Sequence, residues 1–173
     1  MNKKFVILGL ILLLAVIIYY WLGGFKSIRK EIIKDTNITV LGFYYEGKIG
    51  SDSLQNLFEQ ARQLVLKEEY AKSIALVYYG EPNENTGEVK NFIGVQTDNT
   101  AIKAKPYNWE YRKFKRNKSI MGCIEANVLA MPTPDDMVSE LKSFALENEV
   151  ALDSIFIEYY RGPNNVCVEL LSK

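Results

Sequence analysis

An internal repeat constrains this chain more than any other feature. Ser73-Ile74, Tyr78-Tyr79 and Pro82 recur as Ser154-Ile155, Tyr159-Tyr160 and Pro163, each at an offset of 81 residues. Self-similarity at a fixed offset means one supersecondary unit used twice, with each copy burying apolar surface that it cannot cover alone. Upstream of the first copy, Leu57, Phe58, Ala61, Leu64 and Val65 keep the spacing of one apolar helix face. Met137, Val138, Leu141, Phe144 and Ala145 repeat that spacing at an offset of 80. Ser51 or Ser53 can cap the first helix, and Thr133, Pro134, Asp135 and Asp136 form a regular start for the second.

Strand-like runs flank both helices. Ile38 to Tyr45 and Ile120 to Leu129 precede them. Ile74 to Tyr79 with Phe92 to Thr97, and Ile155 to Tyr160 with Val166 to Leu171, follow them. Gly, Pro and Asn in residues 80–90 and 161–165 suit the hairpins that join these last pairs. The expectation is an α+β fold, a tandem strand-helix-strand-strand repeat with a mainly antiparallel sheet and two helices, preceded by one transmembrane helix. The halves join edge to edge or pack together, leaving a concave surface between them. Repeat one covers 36–102, a linker with an edge strand around Trp109 to Phe114 covers 103–118, and repeat two covers 119–173.

The expected membrane segment is residues 1–25, followed by a basic juxtamembrane linker at 26–35. From Phe5 to Phe25 the chain carries no charge, and as a helix that stretch rises about 31 Å, the depth of a bilayer core. Tyr19, Tyr20 and Trp21 gather at one end, as side chains at the headgroup level do. The run exceeds a signal-peptide core and no A-x-A cleavage site follows it, so the reading is an uncleaved, single-pass anchor. Lys3 and Lys4 on one flank face Lys26, Arg29, Lys30 and Lys34 on the other. The side of the membrane that holds the domain stays open. So does the state of Cys123 and Cys167, which can pair in an oxidising compartment or serve as small apolar strand residues.

Composition narrows the chemistry. The chain has no histidine and two cysteines, which excludes Ser-His-Asp and Cys-His catalysis and the common zinc sites. No Gly-rich phosphate loop is present, and Asp135-Asp136 lacks a third carboxylate, so no metal and no cofactor is expected. With 21 basic against 21 acidic residues, no global field favours nucleic acid. The local basic run Arg112, Lys113, Lys115, Arg116 and Lys118 reads as an edge strand guarded against pairing.

Glu158 is the principal site candidate. Its mate at an offset of 81 is Val77, so a carboxylate replaces an apolar strand residue, and Phe156 and Tyr160 share its face. A carboxylate in an apolar wall gains proton affinity, which suits cation recognition or acid–base work. Tyr79, the mate of Tyr160, is expected on the same relative face. Tyr44 or Tyr45 and Trp109 or Tyr111 would complete an aromatic cup, attractive to cations and planar ligands.

Gly42-Phe43-Tyr44-Tyr45-Glu46-Gly47, the helix after it, Ala75-Leu76-Val77-Tyr78-Tyr79 with its Pro82 turn, and Ile157-Glu158-Tyr159-Tyr160 carry a resemblance to the GyrI-like (gyrase-inhibitor-like) effector-binding domains. It covers roughly residues 30 to 172. The resemblance implies a groove between the halves for lipophilic, cationic or planar ligands, with aromatic walls and a central glutamate at Glu158. Some similar domains hydrolyse strained electrophiles. An anchor ahead of such a domain also resembles the layout of testis-expressed autophagy receptors of the endoplasmic reticulum. The expected function is a membrane-anchored binding domain for a small lipophilic ligand, using Glu158, Tyr160, Tyr79, Trp109 and Tyr45. The alternatives are a metal-free hydrolase using Glu158, or an adaptor for a protein partner. The lipid bilayer is a further expected partner.

Overall fold

The computed structural model describes residues 3–80, 86–100 and 106–173, without the side chains of Lys3 and Val6. Pro82 and the start of the inter-repeat linker lie outside the described residues. Helix α1 (Lys3–Trp21) leads into β1 (Arg29–Lys48), α2 (Asp52–Lys67), β2 (Ser73–Tyr78) and β3 (Glu88–Gln96). A 3-10 turn at Pro106–Asn108 precedes β4 (Glu110–Glu125), α3 (Pro134–Glu147), β5 (Leu152–Tyr160) and β6 (Asn165–Ser172). Ser51 caps α2 by accepting from the Leu54 amide, and Thr133 caps α3 with Asp136 in a reciprocal capping box.

Each half has the strand order first–third–second, and the two join edge to edge into a closed antiparallel barrel, β1-β3-β2-β5-β6-β4. The expected edge strand around Trp109 to Phe114 is the opening of β4, which runs along β1 from Glu110 to Lys118, while its pairing with β6 begins at Ser119. The juxtamembrane linker is largely strand, since β1 begins at Arg29 and pairs with β4 from there to Gly42. The second repeat's first strand also stops at Glu125, leaving Val128 and Leu129 in a loop. At the tight crossing of β1 and β3, Gly42 and Gly94 face each other. A Cβ on Gly94 would lie 2.0 Å from the Leu41 carbonyl oxygen, so only glycine allows the backbones to approach this closely.

Three apolar clusters fill the molecule. Ala61 and Leu64 of α2 pack on Leu41, Ile74, Val95 and Trp109 outside the barrel. Met137, Val138, Leu141 and Ala145 of α3 cover Ile120, Ile124, Val168 and Leu170 on the other half. The third cluster contains no helical residue and forms the barrel interior: Val40, Val77, Phe92, Phe114, Ile157, Tyr159 and Leu171 among others. Cys123 and Cys167 face each other across β4 and β6 with a Cα–Cα separation of 4.1 Å and form a disulfide.

Among the described residues no helix is long and apolar enough to cross a membrane. The expected span to Phe25 is shortened because α1 ends at Trp21 and residues 22–25 form turns. The 19 residues of α1 rise about 28 Å. Residues 7–21 are all exposed.

Candidate functional site

The pairing of β2 with β5 sets the site. Ile74 lies opposite Tyr160, Leu76 opposite Glu158 and Tyr78 opposite Phe156. Directly opposed residues share a face, so these six side chains point outward, toward the cleft between α2 and α3. Val77, Ile157 and Tyr159 point into the barrel.

Glu158 is 2% exposed. The Tyr160 hydroxyl donates to its Oε2 at 2.8 Å, and the Tyr78 hydroxyl reaches the same oxygen at 3.4 Å. Tyr78 stacks on Phe156 with centroids 4.5 Å apart, and Phe58 of α2 meets Tyr160 edge-on at 5.3 Å. Burial pushes the Glu158 carboxyl up to about 7, against the opposing pull of the two hydroxyls and with help from Asp135 at the start of α3. Both tyrosine hydroxyls are held above their ordinary range, first by burial and then by the carboxylate beside them. The arrangement is a carboxyl that changes charge near neutrality with two fixed donors on one oxygen. It can bind a cation when ionised, or hold and release a proton.

Next to it opens a cavity of about 730 Å³, lined by Phe58, Val65, Ile74, Met131, Tyr160 and Val166 among others. The size suits a drug-sized molecule and the lining is mainly apolar. Its cation, Arg62, is engaged by Glu59 at 2.8 and 3.0 Å. Tyr160 therefore stands between the cavity and Glu158, with its ring on the wall and its hydroxyl on the carboxylate.

The other expected site residues lie elsewhere. Tyr79 is on the opposite face from Tyr160, where its hydroxyl accepts from Arg112 Nη1 at 2.8 Å and its ring approaches Tyr44 at 6.2 Å. Arg112 stacks 4.8 Å from the Phe92 centroid, closing that end of the barrel interior. The expectation failed on parity: an offset of 81 pairs an outward residue with an inward one, whereas outward sets in both halves carry even numbers. Trp109 is 2% exposed and packs under α2. The Tyr45 hydroxyl contacts the Lys48 carbonyl at 2.9 Å and Ser51 Oγ at 2.6 Å, bracing the start of α2. Tyr44 lies beside Arg112, and Tyr111 packs with the α2 cluster.

Two polar features escaped the sequence reading. Glu169 is 2% exposed inside the barrel, accepting from Ser119 Oγ at 2.6 Å and the Tyr159 hydroxyl at 2.8 Å. Ser119 Oγ also meets Thr36 Oγ1 at 2.7 Å. Burial raises the Glu169 proton affinity, opposed by these donors and by Arg161. The signal was present as a carboxylate inside the otherwise unbroken apolar run 166–171. Asn91, opposite Tyr78 in register, is buried, and its Oδ1 finds no hydrogen-bond partner among the described residues. Among the described residues no group of three or more His, Cys, Asp or Glu is placed to hold a metal.

No family model matches the chain, and no curated protein matches it. Solved structures do. The EcmrR C-terminal domain aligns with a TM-score of 0.57 at 8% identity, over 86% of this chain and 99% of that one. A hydrolase from Listeria innocua aligns at 0.55 and 9%, over 84% and 92%. An integron cassette protein from Vibrio cholerae aligns at 0.53 and 12%, over 85% and 98%. At such identities the likeness establishes the fold alone.

Proposed function

We propose that this chain is a small-molecule-binding effector domain that takes a lipophilic ligand in the cleft between α2 and α3, with Tyr160 on the wall and Glu158 as polar anchor. The observation that carries the reading is the contact between them: an apolar cavity of about 730 Å³ ends on a tyrosine whose hydroxyl holds a buried carboxyl poised near neutrality. Ionised, that carboxyl favours a cationic ligand. The effector-binding type of fold found in the neighbours supports the same reading.

Membrane localisation belongs to this proposal. A helix apolar on all sides is stable only where apolar surroundings cover it, and α1 is exposed on all sides from Ile7 to Trp21. We read it as inserted in a bilayer, tethering the domain. Carbonate extraction of membranes from expressing cells should leave the chain in the pellet. Recovery in the supernatant would end this part of the reading.

The ligand proposal is tested with the full chain in phosphatidylcholine nanodiscs, using N-phenyl-1-naphthylamine as fluorescent probe and hydrophobic cations with neutral isosteres as competitors. Glu158→Gln should weaken cation competition more than tenfold and leave the neutral isosteres unchanged. Unchanged cation competition would remove Glu158 from the site. A second reading, hydrolysis of an electrophile with Glu158 carrying the proton, draws on its poised carboxyl and on the Listeria neighbour's being named a hydrolase. Turnover lost in Glu158→Gln would favour it.

A further inference from the structure

The open end of the cleft lies beside the foot of α1. The Asn127 amide donates to the Leu22 carbonyl at 2.9 Å, fixing the loop after β4 to the turn that ends the helix. Gly23 sits against it with positive φ, where an added Cβ would lie 3.3 Å from the Ala126 Cβ. Asn127 then organises the loop itself, since its carbonyl accepts from Ala130 and Met131 at 2.8 and 2.9 Å and its side chain accepts from Leu129 at 3.1 Å. This hydrogen-bonded loop presents Val128 and Leu129 at 72% and 82% exposure.

The level of the loop follows from its neighbours. Tyr19, Tyr20 and Trp21, at 44%, 69% and 83% exposure, mark the last turn of α1. Tyr and Trp settle at the boundary between acyl chains and water, and the loop is bonded one residue beyond Trp21. A shallow cavity of about 440 Å³ runs between α1 and the loop, lined in part by Tyr19, Gly24, Lys26, Leu129, Met131 and Pro132. Met131 and Pro132 also line the ligand cleft, whose rim carries Val128 and, from α2, Leu66 at 69% exposure. Exposed apolar side chains thus follow one another from the helix through Leu129 and Val128 to the cleft, beside a cavity that also carries Lys26, Ser27 and Glu140.

We propose that the cleft loads its ligand laterally from the bilayer: the 127–132 loop dips into the lipid–water boundary, and the ligand is a lipophile dissolved in the membrane. This rests on the readings of α1 as bilayer-inserted and of the cleft as a ligand site. The exposed Val128 and Leu129 select lipid over a protein partner, because the loop that carries them is bonded to the foot of a helix that only apolar surroundings can cover.

The test uses the full chain in nanodiscs, with the native cysteines held in their disulfide. Single cysteines replacing Ile11, Leu129 or Leu146 are labelled with an NBD fluorophore and exposed to lipids brominated on the acyl chains. Quenching at positions 11 and 129 but not 146, at the far end of α3, is expected. Quenching at 11 alone overturns lateral loading and leaves the reading of α1 standing, whereas no quenching at 11 overturns both. Uptake of N-phenyl-1-naphthylamine from preloaded nanodiscs should slow at least tenfold in Leu129→Asp, with the same final amplitude. An unchanged rate overturns lateral loading, and no probe signal in the parent chain overturns the ligand reading on which it rests. The melting temperature of Leu129→Asp, altered only at an exposed tip, checks that the variant is folded.

Discussion

The hydroxyl of Tyr160 lies 2.8 Å from Oε2 of Glu158, two residues away on the same face of β5. This bond holds down a proton affinity that burial drives up. Tyr160→Phe should therefore raise the Glu158 pKa above about 7. Loss of one hydrogen bond worth roughly 1 kcal/mol should weaken a cationic ligand about fivefold. Titration of 13C-labelled glutamate by NMR checks the first effect and probe competition checks the second. Tyr79→Phe serves as control: it removes one acceptor of Arg112, which keeps its pairing with Glu110 on the other face, and should leave cleft binding unchanged.

The same carboxyl predicts how stability depends on pH. Its folded-state value is raised, from 4.5 to about 7, so the folded chain binds the proton more tightly than the unfolded one. The resulting stability is fully present below pH 4.5 and is lost as pH rises through about 7. The loss amounts to about 3 kcal/mol at the upper end. Glu169 acts in the same direction. Denaturant unfolding across this window should show stability falling with pH, less steeply in Glu158→Gln and nearly flat in the double Gln variant. A steeper fall in Glu158→Gln would contradict the assignment.

Much of this architecture was legible because apolar spacing reports which face of an element is covered. Ala61 with Leu64, and Met137 with Leu141, stood out as helix faces and are the residues that pack. Closure was not legible: the basic run from Arg112 to Lys118 lies along β1, and nothing in it says that the same strand goes on from Ser119 to pair with β6 as well. The site was half legible. Glu158 and Tyr160 share a face because they are two residues apart on one strand, which needs no knowledge of the partner. Tyr79 required the relative parity of two strands, and a one-residue difference in offset inverts it. Trp109 and Tyr45 carry the aromatic character of a ligand wall but spend it on α2, as core and as brace.

Glu169 lets two substitutions be distinguished. Glu169→Gln keeps an acceptor for Ser119 or Tyr159 and should cost about 1 kcal/mol. Glu169→Ala strands both buried hydroxyls and leaves a void, which should cost about 3 kcal/mol or more. Thermal and urea denaturation compare them. Equal costs would mean that water has replaced the carboxylate.

The disulfide links residues 44 apart in sequence. Closing a loop of that length should stabilise the fold by about 4 kcal/mol through the unfolded chain. Cys123→Ser/Cys167→Ser should lower the melting temperature by that measure, and the chain from its native host should resist maleimide-polyethylene glycol until reduced. Immediate labelling would show that the pair is reduced there.

Strand β1 pairs with β4 from Arg29 to Gly42 and with β3 from Val40 to Lys48, so it belongs to both halves of the molecule at once. During synthesis it emerges first among the strands, yet the partner of Arg29 is Cys123, 94 residues later. At ordinary translation speeds of about 5–20 residues per second that is a wait of roughly 5–20 s. The first repeat cannot mature as a separate unit in that interval. Its opening strand stays half-unpaired beside the nascent helix, and chaperones or the insertion machinery have that long to shield it.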